Sequence, residues 1–80
     1  MLKTALHREL GSVTQRLSVS DVLIEKQKGI ILRMTRAGHN VTDALTYLNC
    51  LEQTHAGLVA EHDRLSKVLD RTNEAEIAIR

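Results

Sequence analysis

The stretch Met34-Thr35-Arg36-Ala37-Gly38-His39-Asn40-Val41-Thr42-Asp43-Ala44 decides the fold, because the residues on both sides of it carry helical periodicity and the chain must reverse here. Gly38 suits the position just past a helix end, where a left-handed backbone is needed and a Cβ would cost energy. Asn40 suits the cap of a following helix. Asp43, three residues on, can complete a capping-box-like exchange while facing that helix's positive end. Upstream, Arg33 and Arg36 fall in the last turn of the preceding helix, where cations oppose the negative end of the dipole. The stretch therefore reads as the corner of a helical hairpin.

Working back from the corner, apolar residues recur as Leu6, Leu10, Val13, Leu17, Ile24, Ile31 and Met34, in steps of three and four broken at residues 20 and 27. This is a heptad seam. Leu23, Ile30 and Ala37 add a third apolar column beside it, as expected of a helix packed against more than one neighbour. Gly11, Ser12, Val13, Thr14, Ser18, Val19 and Ser20 are weaker helix formers, and Ser18 with Asp21 could cap a fresh start. One long helix is the favoured reading, and a break between about residues 11 and 20 is the alternative. Gly29 falls on the outer face, where close approach of another backbone would account for it.

Working forward, Val41, Ala44, Leu48, Leu51, Leu58, Leu65 and Leu69 repeat the seam, and Leu45 and Val59 broaden it. After Leu69 the pattern fades through Asp70 and Asn73, with Asn73 and Glu76 offering a cap for a short last turn. The expected fold is all-α, a single domain over residues 1–80. It is a long antiparallel helical hairpin with a helix over about 3–37, a turn at 38–40, a helix over about 41–72 and a fraying tail. A reversal at 38–40 predicts that Met34 meets Leu45, Ile31 meets Leu48 and Val13 meets Leu65.

Composition agrees with this fold. The 80 residues include no Pro, Trp or Phe and a single Tyr, and the apolar share is mostly Leu, Ile, Val and Ala, which suits helix packing. A chain of this size buries too little apolar surface to be comfortable as two lone helices. Dimerisation into a four-helix bundle follows as an expectation, with Leu17, Leu23, Ile24, Ile30, Ile31, Leu48, Leu51, Leu58 and Leu65 as its interface residues.

The formal net charge is only +1, but residues 1–37 carry +4 and residues 38–80 carry −3. A basic helix beside an acidic one favours antiparallel pairing through many weak contacts. Cys50 is the lone cysteine, which excludes an intrachain disulfide and points to a reducing compartment. No apolar run approaches the roughly 18 residues a spanning helix needs, so a cytoplasmic protein without a membrane partner is expected.

Ser20 and Gln27 interrupt the first seam, and His55 and His62, seven residues apart, interrupt the second. Polar seam residues commonly fix register and oligomer state at some cost in stability, which is the favoured reading here. His55 and His62 are the candidate metal ligands, but two imidazoles at that spacing without an i, i+4 partner or a carboxylate fall short of a metal motif. No cofactor is expected. Nothing resembles a nucleophile elbow or a phosphate loop, and a hairpin offers no concave pocket for a triad, so an enzyme is not expected. Lys26, Lys28, Arg33 and Arg36 put cations on the first helix near the corner. They read as a solvated face, or alternatively as a stripe contacting nucleic-acid phosphates.

At Ile24-Glu25-Lys26-Gln27-Lys28-Gly29-Ile30-Ile31, then Gly38-His39-Asn40-Val41-Thr42-Asp43-Ala44 and Leu48, the chain resembles a family of small helical-hairpin proteins of alphaproteobacteria. Their pattern joins a Gln and paired aliphatics to a Gly-His-Asp-Thr-like turn, an Ala and a His-x-x-Arg-x-x-Leu-like run. That run is shifted here to His62-Asp63-Arg64-Leu65, and Asn40 stands where the family often has Asp. The resemblance spans about residues 20–69 and rests on caps and core positions, so it implies a fold and no activity. The function expected is that of a non-enzymatic, self-associating helical protein, a protein-binding or structural module whose partners are copies of itself, in a homodimer or higher oligomer, and another protein. The alternative is a small nucleic-acid-binding regulator that uses the basic stripe near the bend of a hairpin dimer.

Overall fold

The computed structural model describes residues 2–79, so Met1 and Arg80 of the expected domain lie outside the described residues. Two helices, α1 over Leu2–Arg36 and α2 over Thr42–Ile79, form an antiparallel hairpin. It measures 66 × 14 × 14 Å, with a radius of gyration of 18.5 Å, where a compact chain of this length would have about 12 Å.

The corner forms as its residues dictate. Gly38 has φ of 76°, and the amides of Gly38 and His39 donate to Thr35 O at 3.1 Å and Met34 O at 2.9 Å. That pair of bonds is the Schellman arrangement, and it satisfies carbonyls that the end of α1 would otherwise leave bare. Asn40 Oδ1 accepts from the Thr42 amide at 2.9 Å, and the Leu45 amide reaches Val41 O at 2.8 Å, which starts α2. The first intrahelical bond thus falls on Val41, with Asn40 one residue before the cap, and the capping-box exchange expected of Asp43 does not form; Asp43 adds only its charge in the first turn.

The helix α1 runs without a break through residues 11–20. Its hydroxyls bond inside the helix, Thr14 Oγ1 to Leu10 O at 2.8 Å and Ser18 Oγ to Thr14 O at 3.3 Å, so Ser18 caps no new start. The second helix likewise continues through Asn73 to Ile79, past the expected end at about residue 72. Two features hold its last turns. Thr72 Oγ1 donates to Val68 O at 2.9 Å, and Lys3 Nζ reaches Glu76 Oε2 at 3.1 Å across the open end of the hairpin.

The register differs from the expected one by about a turn. Ser20 Oγ lies 3.2 Å from His55 Nδ1 and fixes one layer. Alternating steps of three and four from that layer place Leu17 opposite Leu58, Val13 opposite His62, Leu10 opposite Leu65 and Leu6 opposite Leu69 toward the open end, where Val13 still packs in one cluster with Leu65 as expected. Toward the bend they place Ile24 opposite Leu51, Gln27 opposite Leu48, Ile31 opposite Ala44 and Met34 opposite Val41. Every one of these residues is buried or half-buried, whereas Leu45, expected opposite Met34, is 49% exposed. The reason lies at the corner: Gly38 reverses the chain at once, so residues 39–41 already run back beside the last turn of α1.

The core is one seam wide. Leu6, Val13, Leu65 and Leu69 form its best-covered cluster, with Leu10, Leu17, Leu58 and Val68 packed against it. No large side chain among the described residues is fully enclosed.

Candidate interaction surface

Helical geometry, at about 100° per residue, puts Val19, Leu23, Lys26, Ile30, Arg33 and Ala37 in one column along α1. The facing column on α2 carries Tyr47, Leu51, Thr54, Leu58 and Glu61. Between them runs a shallow groove of about 490 Å³ lined by Gln15, Arg16, Val19, Ser20, Leu23, Leu51, Thr54 and Leu58. The apolar side chains in and beside it are wet: Val19 and Leu23, which line it, are 54% and 40% exposed, and Ile30 and Tyr47, farther along the two columns, are 39% and 51% exposed. These residues flank the seam, and a two-helix seam has no second layer to cover them.

The nine expected interface residues therefore divide. Ile24 and Leu65 are buried inside the hairpin, at 9% and 4% exposure, so they serve the chain's own seam. Leu17, Ile31, Leu48, Leu51 and Leu58 are half-buried along that seam, while Leu23 and Ile30 stand outside it. Val19 and Tyr47 belong to this surface too, although the sequence reading did not place them there. Counting residues outward from the true register would have found them.

The polar layers are built from one cross-helix pair and one tie to the backbone. Ser20, only 6% exposed, meets the His55 ring. Gln27 Nε2 donates across the hairpin to Ala44 O at 2.9 Å rather than meeting another polar side chain. His62 turns toward its neighbour Asp63, with Nδ1 to Oδ1 at 3.8 Å, so His55 and His62 do not converge. Among the described residues no three of the His, Cys, Asp and Glu side chains form a group that could hold a metal ion.

Ser20, His55 and Asp21 invite comparison with a catalytic triad, but Asp21 Oδ1, at 3.6 Å, approaches the same ring nitrogen that Ser20 uses. A triad needs the nucleophile and the carboxylate on different ring nitrogens, and here both lie at Nδ1, so the imidazole does not bridge them. Cys50 is exposed.

The four candidate cations split as well. Lys26 and Arg33 share the column with Leu23 and Ile30. Lys28 lies about 160° around the helix from Lys26 and approaches Glu25 at 3.7 Å. Arg36 sits in the last turn of α1. At the polar end of the groove, Glu61 and Arg64 form a two-pronged pair, Arg64 Nη2 to Oε1 at 2.6 Å and Nε to Oε2 at 3.0 Å. Those hydrogen bonds hold the Glu61 carboxyl below its usual range and push Arg64 up.

No helix among the described residues is long and apolar enough to cross a membrane. No protein-family model matches the chain, and no curated protein or solved structure matches it.

Proposed function

We propose that this protein is a self-associating hairpin, two copies of which pack face to face into a four-helix bundle, and that it works as a protein-binding or structural module without chemistry of its own. The observation that carries this reading is the wet apolar column of Val19, Leu23 and Ile30, with Tyr47 opposite, beside half-buried Leu51 and Leu58. Size scaling gives a compact 9.0 kDa monomer about 4,900 Å² of accessible surface, against 6141 Å² here. That excess exceeds the share of about 800 Å² that each partner contributes to a standard interface.

The occupant fits in kind. A second hairpin offers a matching aliphatic column and the flat, knobbed face that left-handed helix packing requires. A nucleic-acid regulator has less support, because the cations it needs are divided between faces and two of them are interleaved with the aliphatics. The single, exposed Cys50 fits a reducing cytoplasm.

Sedimentation equilibrium at micromolar concentration tests the proposal. Two chains per particle are expected, and Leu23→Glu with Ile30→Glu should weaken association on the order of a hundredfold, about 3 kcal/mol, while far-ultraviolet circular dichroism stays helical. A folded single chain throughout that range overturns it.

A further inference from the structure

Resting on the self-association just proposed, we infer that the two copies align with their corners at the same end, so that α1 of each lies over α2 of the other. Two face-to-face arrangements have two-fold symmetry. One axis runs along the hairpin and keeps the corners together, and the other runs across it and sends them to opposite ends. Both leave every neighbouring helix pair antiparallel, so helix dipoles do not choose between them.

The position of the apolar surface does choose. The layer of Ser20 and His55 lies close to the middle of the hairpin, because Ser20 is near the centre of α1. Leu23, Ile30, Tyr47 and Leu51 all lie between that layer and the corner. On the other side, the same columns carry Glu9, Arg16 and Glu61. With corners together, apolar residues meet apolar residues at equal height. With corners apart, Ile30 lands near Glu9 of the second copy and Tyr47 near the Glu61–Arg64 pair, so burying the aliphatics would strip water from charged groups.

Charge points the same way and is an independent observation. The first helix with its flank carries +4 and the second −3. Corners together set α1 against α2 of the other copy, whereas corners apart set like against like. In the register of the seam, Arg16 stands level with Glu61, and Arg33 is level with Asp43 beyond the other end of the apolar patch. Those two arginines then each face an acidic residue across the interface, while Lys26, in the same column, is level with Asn49 and has no such partner; the arginine pairs fix orientation more than they add affinity.

Pulsed dipolar spectroscopy on a nitroxide at His39→Cys, in a Cys50→Ala background, reads the orientation, since His39 is an exposed corner residue. Corners together place the labels within about 30 Å, given packed helices about 8–10 Å apart. A distance approaching the 66 Å length of the molecule overturns the inference while leaving self-association standing. Absence of any inter-label distance overturns self-association itself. Adding Leu23→Glu should abolish the short distance, and its persistence in that variant overturns the assignment to this face.

Discussion

A methyl group on Gly38 would touch nothing, since no heavy atom lies within 4 Å of the place it would occupy. The cost of Gly38→Ala is therefore torsional, about 1–2 kcal/mol for holding an L-residue in the left-handed region, and urea unfolding at fixed protein concentration should show that loss. At the Ser20 and His55 layer the single and double changes should differ in sign. His55→Ala leaves the nearly buried Ser20 hydroxyl without a partner and should cost about 1–3 kcal/mol. Ser20→Ala with His55→Leu removes both polar groups together, so that variant should be no less stable than the native chain. At Glu61 the sign of the pH effect follows from the Arg64 pair. A carboxyl held below its ordinary value of 4.5 contributes stability at neutral pH that fades as pH falls below that value. Substituting Glu61→Gln should flatten that part of the acid-unfolding curve. Gly38 and Asn40 were readable from the sequence because caps are local chemistry. The pairing of Ser20 with His55 was readable only as two interruptions in the same middle layers, and which of the polar residues would touch depended on the register.

Each helix owes its continuity to what lies beside it more than to its own propensity. Residues 11–14 and 18–20 of α1 are poor helix formers, yet Val13 and Ser20 are among its best-buried residues, so tertiary cover holds the segment that local preference would loosen. That is why the alternative of a break was reasonable from sequence and absent in the structure. Leu65 tests the seam directly. It is 4% exposed within the best-covered cluster, and Leu65→Ala should cost about 2–4 kcal/mol by losing burial and leaving a gap. Gly29 gives the opposite sign. It lies mid-helix, and a Cβ added there would meet nothing within 4 Å, so Gly29→Ala should raise stability by about 0.5–1 kcal/mol in the same unfolding assay. The close backbone approach that the sequence left open at Gly29 does not come from within the hairpin.

For the whole molecule, linkage between folding and pairing has a plain signature: the melting temperature should climb with protein concentration, and Leu23→Glu should flatten that slope. The all-α hairpin itself was legible because two heptad seams and one glycine corner admit few other folds. The register was not, because periodicity repeats every turn and only the geometry at Gly38 selects among repeats. The uncovered face followed from that register, so it became visible only once the true layers were known. The placement of the best-covered cluster has a kinetic consequence. Leu6, Val13, Leu65 and Leu69 lie at the open end, so the firmest grip joins residues far apart in sequence, while the layers nearest the corner offer little to hold. The chain must bring its distant ends together, at the entropic cost of closing a long loop, before it gains much from contact. Folding should therefore be concerted rather than a zipper run from the corner. Amide hydrogens near that far clasp should exchange more slowly than those beside the bend.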